Sequence, residues 1–332
     1  MTNSTVPIVS FKSIANHHPE TIINLHNAAR DWGLFYLEDT EISSALSEKV
    51  FEMSGRFFQL SHEQKNQLNF NHRDDFRGYL AVGEELTKGK PDMKESLEFA
   101  QNGECPVDAT SQSFFRLYGE NPWPKEALVP EFRSVLEQYI ETIQTLAQQL
   151  METLIYALGT TTASHDLQWS LPLYFRTRLM HYCQVGNLKK GSIRVGDHTD
   201  LAFFNLLRID APGLEVKNAS GNWLEVNPRP NTLVVILGDL CEWLTQANYR
   251  AGVHRVRQVT SEGERTSMPF FFYPDLQTVL PLTDDSMPLE IRGKCVGDIL
   301  FQRLVSIYPH MEAISKQEYA KAKQSQENIN AL

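Results

Sequence analysis

The stretch that most constrains the fold begins after Thr160, where short apolar or alternating runs follow one another with turn residues between them. Residues 174–184 and 201–207 read as extended. Leu214-Glu215-Val216 and Trp223-Leu224-Glu225-Val226 alternate around Ala219-Ser220-Gly221-Asn222, the pattern of a β-hairpin. Residues 232–237 form a buried-strand run ended by Gly238-Asp239, and residues 253–259 and 268–273 complete the set. Many short strands without helices between them predict a sandwich or jelly roll rather than a βαβ unit.

The first half differs. Pro7-Ile8-Val9 and residues 32–37 read as short strands around a helix over about 20–30, and a second helix is expected over about 42–58, behind the acidic residues Asp39 and Glu41. Residues 77–99 contain Gly78, Gly83, Gly89 and Pro91, which predicts loop with short extended pieces. Asn121-Pro122-Trp123-Pro124 is a break, and a long helix follows from about Lys125. In it Phe132, Leu136, Tyr139, Ile143, Leu146, Leu150 and Leu154 recur at steps of three and four, and Gly159 stands where a C-terminal cap belongs. Such a stripe serves a dimerising coiled coil or a single helix packed on a sheet. No second heptad segment exists to pair with it, which favours the packed helix. The residues after Glu312, rich in Lys, Gln and Ala, read as a solvated helix or a frayed end.

Charge and cysteine usage narrow the function classes. The net charge is −10, from 31 Lys+Arg against 41 Asp+Glu, which counts against a phosphate backbone as partner. Cys105, Cys183, Cys241 and Cys295 are scattered without a Cys-x-x-Cys pair, so neither a disulfide framework nor a cysteine zinc site is expected. The N-terminus has no secretory pattern and no run reaches 18 apolar residues. The expectation is a cytoplasmic protein with no membrane and no nucleic-acid partner.

His198-Thr199-Asp200 is the first candidate for chemistry. With ten His and 41 acids in 332 positions, chance supplies about one His-x-acid pair, yet four occur, so context must choose. His18-Pro19-Glu20 and His310-Met311-Glu312 lie beside proline or in an expected helix end, and His72-Arg73-Asp74 in a polar loop. Only His198 and Asp200 lead into an apolar run, Leu201-Ala202-Phe203-Phe204. In a strand, i and i+2 share a face, so imidazole and carboxylate can converge on a metal. A structural hydrogen-bonded pair is the other reading of these two alone. His254, 56 residues on in Val253-His254-Arg255-Val256, completes two His and one carboxylate, the facial set of non-haem Fe(II) oxygenases. Arg265, Ser267, Pro269 and Phe271 share one strand face, and an Arg beside a hydroxyl is a bidentate clamp for a carboxylate.

These residues, with others, resemble the 2-oxoglutarate/Fe(II)-dependent dioxygenase superfamily. The branch is that of isopenicillin N synthase, plant flavonoid and gibberellin oxidases and the bacterial ethylene-forming enzyme. Trp32-Gly33-Leu34-Phe35, Phe57-Phe58-Gln59-Leu60, Arg77-Gly78-Tyr79, Lys90-Pro91-Asp92 and Asn121-Pro122-Trp123-Pro124 carry the likeness in the first half. Arg178-Leu179-Met180-His181-Tyr182, the His198–Asp200 motif, Pro212-Gly213-Leu214-Glu215-Val216, Leu237-Gly238-Asp239, Gly252-Val253-His254-Arg255-Val256 and Arg265-Thr266-Ser267 carry it in the second. The resemblance implies an α+β chain with a double-stranded β-helix (jelly roll) core flanked by helices, one of them long. It would divide as 1–125, a mixed N-terminal region; 126–160, the long helix; 170–280, the jelly-roll core; and 281–332, a C-terminal helical extension. It implies His198, Asp200 and His254 as ligands of Fe(II), and Arg265 and Ser267 as the site for the distal carboxylate of 2-oxoglutarate. Tyr182 would contact co-substrate or substrate, and Phe271 would line the pocket. No catalytic side chain beyond the metal centre is implied. The reaction would consume O2 and 2-oxoglutarate, release succinate and CO2, and hydroxylate, desaturate or cyclise a small-molecule substrate.

The departures have consequences. Leu37-Glu38-Asp39-Thr40 stands where many relatives carry an Asn-His-Gly turn, and Met180 replaces a common asparagine. Asp197 should turn away from the metal by strand parity. Phe204 is bulkier than the common aliphatic residue, which with Phe271 suggests a partly apolar, aromatic-lined pocket. Arg176, Arg178 or Arg194 would supply a carboxylate anchor if one fell inside the barrel. An oxidase that needs no 2-oxoglutarate, an ethylene-forming type of enzyme and a jelly-roll binding protein without catalysis are the alternatives.

Overall fold

The computed structural model describes residues 5–73, 75–87, 90–103, 113–159, 173–182, 193–257, 264–282 and 286–308. In chain order it begins with β1 (Ile8–Ser10), α1 (Phe11–Ala15), α2 (Pro19–Asp31), β2 (Leu34–Glu38), α3 (Ser44–Phe58) and α4 (His62–Asn66). Then come β3 (Gly78–Leu80), the pair β4 (Leu86–Thr87) and β5 (Lys90–Pro91), β6 (Glu95–Ala100) and the long α5 (Phe132–Leu158). The second half holds β7 (Tyr174–Tyr182), β8 (Ile193–His198), β9 (Phe204–Ile209), β10 (Leu214–Lys217), β11 (Trp223–Val226) and β12 (Leu233–Leu237). It ends with α6 (Asp239–Leu244), β13 (His254–Arg257), β14 (Arg265–Tyr273) and α7 (Val296–Ile307).

Two sheets face each other as a jelly roll. The large one runs β1-β2-β12-β9-β14-β7-β6-β3 and the small one β11-β10-β13-β8. The large sheet crosses the division expected near residue 125: β1, β2, β3 and β6 lie in the same sheet as β7, β9, β12 and β14. Residues 77–99, expected as mostly loop, supply β3 and the wholly buried β6 to that sheet. Gly83, with a φ of 84°, marks a turn after β3 rather than an absence of strands.

Side-chain alternation sorts the large sheet into two faces. Leu34, Tyr36, Leu207, Val234 and Ile236 turn inward and pack with Val195, Leu214, Val216 and Val256 of the small sheet. Their neighbours Phe35, Leu37, Leu206, Val235 and Leu237 turn outward and pack under the helices. Burial on both faces explains why β12 reads Leu-Val-Val-Ile-Leu without a polar break.

The long helix covers the outer face. It starts at Phe132 rather than near Lys125, because Pro130 has no N–H to donate and Glu131 takes a positive φ of 65° at the cap. Its apolar stripe, Leu136, Tyr139, Ile143, Leu146, Leu150 and Leu154, is buried against α1, α2 and α3 and against β14, where Tyr139 meets Phe270 at 5.8 Å. The stripe is consumed inside the chain, as expected of a packed helix. α3 starts at Ser44, two residues later than expected, because the Ser43 hydroxyl accepts the Leu46 N–H at 3.1 Å. The tail after Glu312 lies outside the described residues, as do Cys105 and Cys183; Cys241 and Cys295 are free thiols. No described helix is long and apolar enough to cross a membrane.

Leu150 is fully buried at the centre of α5. Leu150→Ala is expected to lower the unfolding free energy by about 2–5 kcal/mol, measured by urea denaturation followed by circular dichroism.

Candidate metal centre and cofactor cavity

Three donor side chains converge at the mouth between the two sheets. His198 ends β8 and His254 begins β13, and the two residues are paired across the small sheet. Their rings lie 4.3 Å apart between centroids. Each imidazole is held by its inner nitrogen: His198 Nδ1 lies 2.8 Å from the Gly196 carbonyl and His254 Nδ1 2.9 Å from that of Gly252. A carbonyl only accepts, so Nδ1 carries the proton and Nε2 keeps its lone pair for a metal. Burial, and next the neighbouring His198, push the pKa of His254 down to about 4, so this ring is neutral at pH 7.

Asp200 reaches the site differently from the strand argument. β8 ends at His198, so Asp200 stands in the turn before β9. That turn is tied to the start of α6: the Asp239 N–H donates to the Asp200 carbonyl at 2.7 Å and the Gly238 N–H to that of Phe203 at 3.0 Å. Gly238 is required there, because a Cβ would sit 2.1 Å from the Ala202 carbonyl oxygen and 2.5 Å from that of Asp200. Asn205 on β9 donates to Asp200 Oδ2 at 3.3 Å and orients the carboxylate.

The two Nε2 atoms stand 3.6 and 3.7 Å from the Asp200 oxygens, beyond hydrogen-bond range, and one donor from each residue lies within 4.8 Å of the others. Two imidazoles and a carboxylate, spaced with room between them, fit a divalent cation and leave its remaining positions open towards the cavity.

That cavity, about 500 Å³, lies between the sheets. Arg265 and Ser267 line one end of it. Arg265 Nε donates to the Ala211 carbonyl at 3.3 Å, and its guanidinium stands 4.8 Å from the centre of the Tyr182 ring, with Arg194 5.9 Å from that ring. Arg265 Nη1 and Ser267 Oγ are buried and have no hydrogen-bond partner among the described residues. Buried donors without partners are costly, and a carboxylate from a ligand would satisfy both. The residues present therefore fit a chelated cation and a dicarboxylate beside it.

Of the sequence-derived site residues, His198, Asp200, His254, Arg265, Ser267, Tyr182 and Phe271 all line the cavity. Phe204 does not. It belongs to the outward-facing set of β9, fully buried between Phe203 and Phe272, whereas Asn205 and Leu207 face in. Asp197 is exposed at the cavity rim.

The partly aromatic lining is present in Tyr182, Phe271 and Tyr273, but one wall is charged. Arg178 donates to Glu85 at 2.8 Å and stands 3.5 Å from Glu98, and Lys94 bonds Glu85 at 2.6 Å and Asp92 at 2.5 Å. Arg176 is paired with Glu98 at 3.0 Å, and the Tyr308 hydroxyl donates to Glu98 at 2.7 Å. Phe271 carries Arg178 over its ring at 5.3 Å. Burial would raise the Glu85 pKa, but Arg178 and Lys94 hold it down to about 2. Sequence reasoning missed Glu85, Lys94 and Asn205. Alternation along β7 would have placed Arg176 and Arg178 on the face of Tyr182, whereas Glu85 and Lys94 lie in a segment that reads as loop.

Residues 6–126 match the model described as non-haem dioxygenase in morphine synthesis N-terminal, and residues 176–274 match that of the 2OG-Fe(II) oxygenase superfamily. A homoarginine-6-hydroxylase of Glycine max is 30% identical over 276 residues, covering 80% of this chain and 81% of the relative. The chain belongs to the 2OG-Fe(II) oxygenase superfamily. Clavatol oxidase of Penicillium crustosum is 31% identical, covering 87% of this chain and 91% of its own. The crystal structure of a full-length Neurospora crassa protein in complex with alpha-KG superposes with a TM-score of 0.75 at 25% identity, covering 92% of this chain and 98% of that one. The protein is thus a 2-oxoglutarate-dependent dioxygenase, using Fe(II) as cofactor and 2-oxoglutarate and O2 as co-substrates.

Gly238→Ala is expected to displace the Asp200 turn and weaken Fe(II) binding by about 10- to 100-fold, read by anaerobic titration against a chelator. The depressed Glu85 pKa stabilises the fold fully above pH 4.5, and the contribution is lost as pH falls from 4.5 towards about 2. Glu85→Gln should therefore flatten the dependence of unfolding free energy on pH across that window, measured by urea titrations at stepped pH.

Proposed function

We propose that His198, Asp200 and His254 hold the Fe(II), and that Arg265 and Ser267 receive the distal carboxylate of 2-oxoglutarate. The reaction is oxidation, most simply hydroxylation, of a C–H bond in a small molecule bound between the sheets. One observation carries the reading. Three donors with empty space between them open onto the same cavity as the buried Arg265 Nη1 and Ser267 Oγ, which have no hydrogen-bond partner among the described residues.

With 2-oxoglutarate and O2, the iron centre supplies the oxidising power for the C–H bond as the oxo acid is split to succinate and CO2. The chain supplies the rest. Gly196 and Gly252 fix the tautomers of the two histidines, and Asn205 fixes the Asp200 carboxylate. Tyr182 meets the co-substrate site with its ring, which braces the Arg265 guanidinium, so its contribution is to orientation. Val195, Leu207, Leu214 and Val256 form the apolar part of the lining and keep water from the reacting centre. The charged wall supports a polar substrate over the apolar one that Phe204 and Phe271 suggested, as does the hydroxylase from Glycine max, named for an amino acid. Free thiols at Cys241 and Cys295 support the cytoplasm as its compartment.

Anaerobic addition of Fe(II) and 2-oxoglutarate together should produce a weak visible charge-transfer band that neither produces alone. His198→Ala should abolish metal binding at this site. Arg265→Ala should leave metal binding intact and weaken 2-oxoglutarate by about 10- to 100-fold, the loss of a charge-assisted hydrogen-bond pair. A folded, iron-loaded protein without the band would rule out this assignment of the metal and co-substrate residues.

A further inference from the structure

The charges on the cavity wall cancel. Glu85, Asp92 and Glu98 face Lys94, Arg176 and Arg178, and ion pairs of 2.5–3.5 Å tie the six together. Arg303, half exposed on α7, stands 3.5 Å from Asp239, and Asp197 is exposed at the rim, where water screens it. Fe(II), Asp200, Arg265 and the dianion of 2-oxoglutarate also sum to zero when bound as proposed above. Among the described residues the wall therefore holds no surplus charge to select an ion.

Hydrogen bonding is where the wall is unfinished. Asn205 of β9 and Tyr273 of β14 both line the cavity, and both are buried. Asn205 Nδ2 donates to Asp200 Oδ2, and a carboxylate only accepts, so Oδ1 is the unspent end of the amide. That oxygen is buried without a partner among the described residues. The Tyr273 hydroxyl hydrogen-bonds to no described residue either. Burial raises its pKa, so at pH 7 it keeps its proton and can donate. The same phenol feels the charge of Asp200, which sets it, like Asn205, beside a proposed iron ligand.

The sheet register makes the two groups neighbours. Phe271 of β14 pairs with Asn205 of β9, and Tyr273 lies two residues further along the same face. Such diagonal neighbours stand about 7 Å apart, within reach of a side chain as long as tyrosine. An acceptor and a donor thus stand side by side next to Asp200. α7 adds Leu300, Leu304 and Ile307 to the lining, at the spacing of one helix face. A ligand suited to these surroundings is compact, uncharged, and apolar except for one N–H and one C=O on adjacent atoms. An amide closed into a ring has that shape, because closure puts both groups on one edge.

We propose that the primary substrate is a small uncharged cyclic amide, its N–H donating to Asn205 Oδ1 and its carbonyl accepting from the Tyr273 hydroxyl. This deepens the reading of the cavity as the substrate site of an oxygenase and rests on it. Asn205 and Tyr273 then set specificity by holding the amide edge beside Asp200, and the C–H bonds presented to the iron are those next to the amide.

The test uses butyrolactam, valerolactam, caprolactam and ethyleneurea, each with its fully N-methylated form, and the ring-opened ω-amino acid of each lactam. Binding is measured by calorimetry on the full-length protein loaded anaerobically with Fe(II) and 2-oxoglutarate. At least one cyclic amide should bind about 10-fold tighter than its N-methylated form, the loss of one hydrogen bond, and tighter than its ring-opened amino acid. Asn205→Leu should remove the preference for a free N–H, with loading checked by the charge-transfer band. Tyr273→Phe should weaken the amide and its N-methylated form alike, by about 10-fold. It should not lower the melting temperature of the ligand-free protein, because the lost hydroxyl has no partner there. The proposal is overturned if no cyclic amide binds, or if the N-methylated forms or the amino acids bind as tightly. It is overturned too if Tyr273→Phe lowers the melting temperature and leaves amide affinity unchanged. Failure to load Fe(II) and 2-oxoglutarate would overturn the oxygenase reading together with this one, and is seen before any amide is added.

Discussion

The antiparallel strands of the large sheet are buried on both faces, and the alternation of their side chains divides the labour of the molecule. One face packs Phe35, Leu37, Leu206, Val235 and Phe270 under α5 and its neighbours; the other presents Asn205, Leu207, Ser267 and Phe271 to the cavity. Because the period is two, a shift of one residue would carry the site into the core and the core into the site. The helices are therefore part of the site's construction. They cover the outer face so that the inner one can hold groups that do not stabilise a core.

Those inner groups are expensive. The described cavity wall carries Glu85, Lys94, Arg176 and Arg178 in a buried network, where each charge is tolerable only because an opposite one lies within hydrogen-bond distance. Glu85 sits between Arg178 and Lys94 and is held ionised by them. The three donors proposed for the metal follow the opposite logic. The Nε2 atoms of both histidines are uncommitted, and their separation from Asp200 is too long for hydrogen bonding. A structural network closes its contacts, as the charged wall does; a site waiting for an ion leaves a gap, as these three residues do.

Much of this was legible in the residues. The strands of the second half, the hairpin, the long helix and its Gly159 cap follow from local periodicity and turn chemistry, which act over a few residues and survive folding unchanged. His198, Asp200, His254, Arg265 and Ser267 stand out because their residue types and spacing suit a metal and a carboxylate. Less legible were elements whose identity depends on partners far along the chain. β6 is a strand because β7 and β3 flank it, and it could not be read from the glycines around it. Proximity to the motif places Phe204 in the pocket, but the turn holding Asp200 resets the parity of β9, and only the register shows that Asn205 faces in.

Sequence alone was sufficient to single out two imidazoles, a carboxylate and an arginine–serine pair as candidates for a metal and a carboxylate, since their own functional groups carry that chemistry. The character of the cavity wall was settled only by tertiary structure. It depends on Glu85 of the first half, paired with Lys94, meeting Arg178 of β7, more than 90 residues later, across a register no local pattern encodes. Whether a buried arginine is a spent ion pair or an open anchor is decided by which of its nitrogens have partners, and that is a property of the packed molecule.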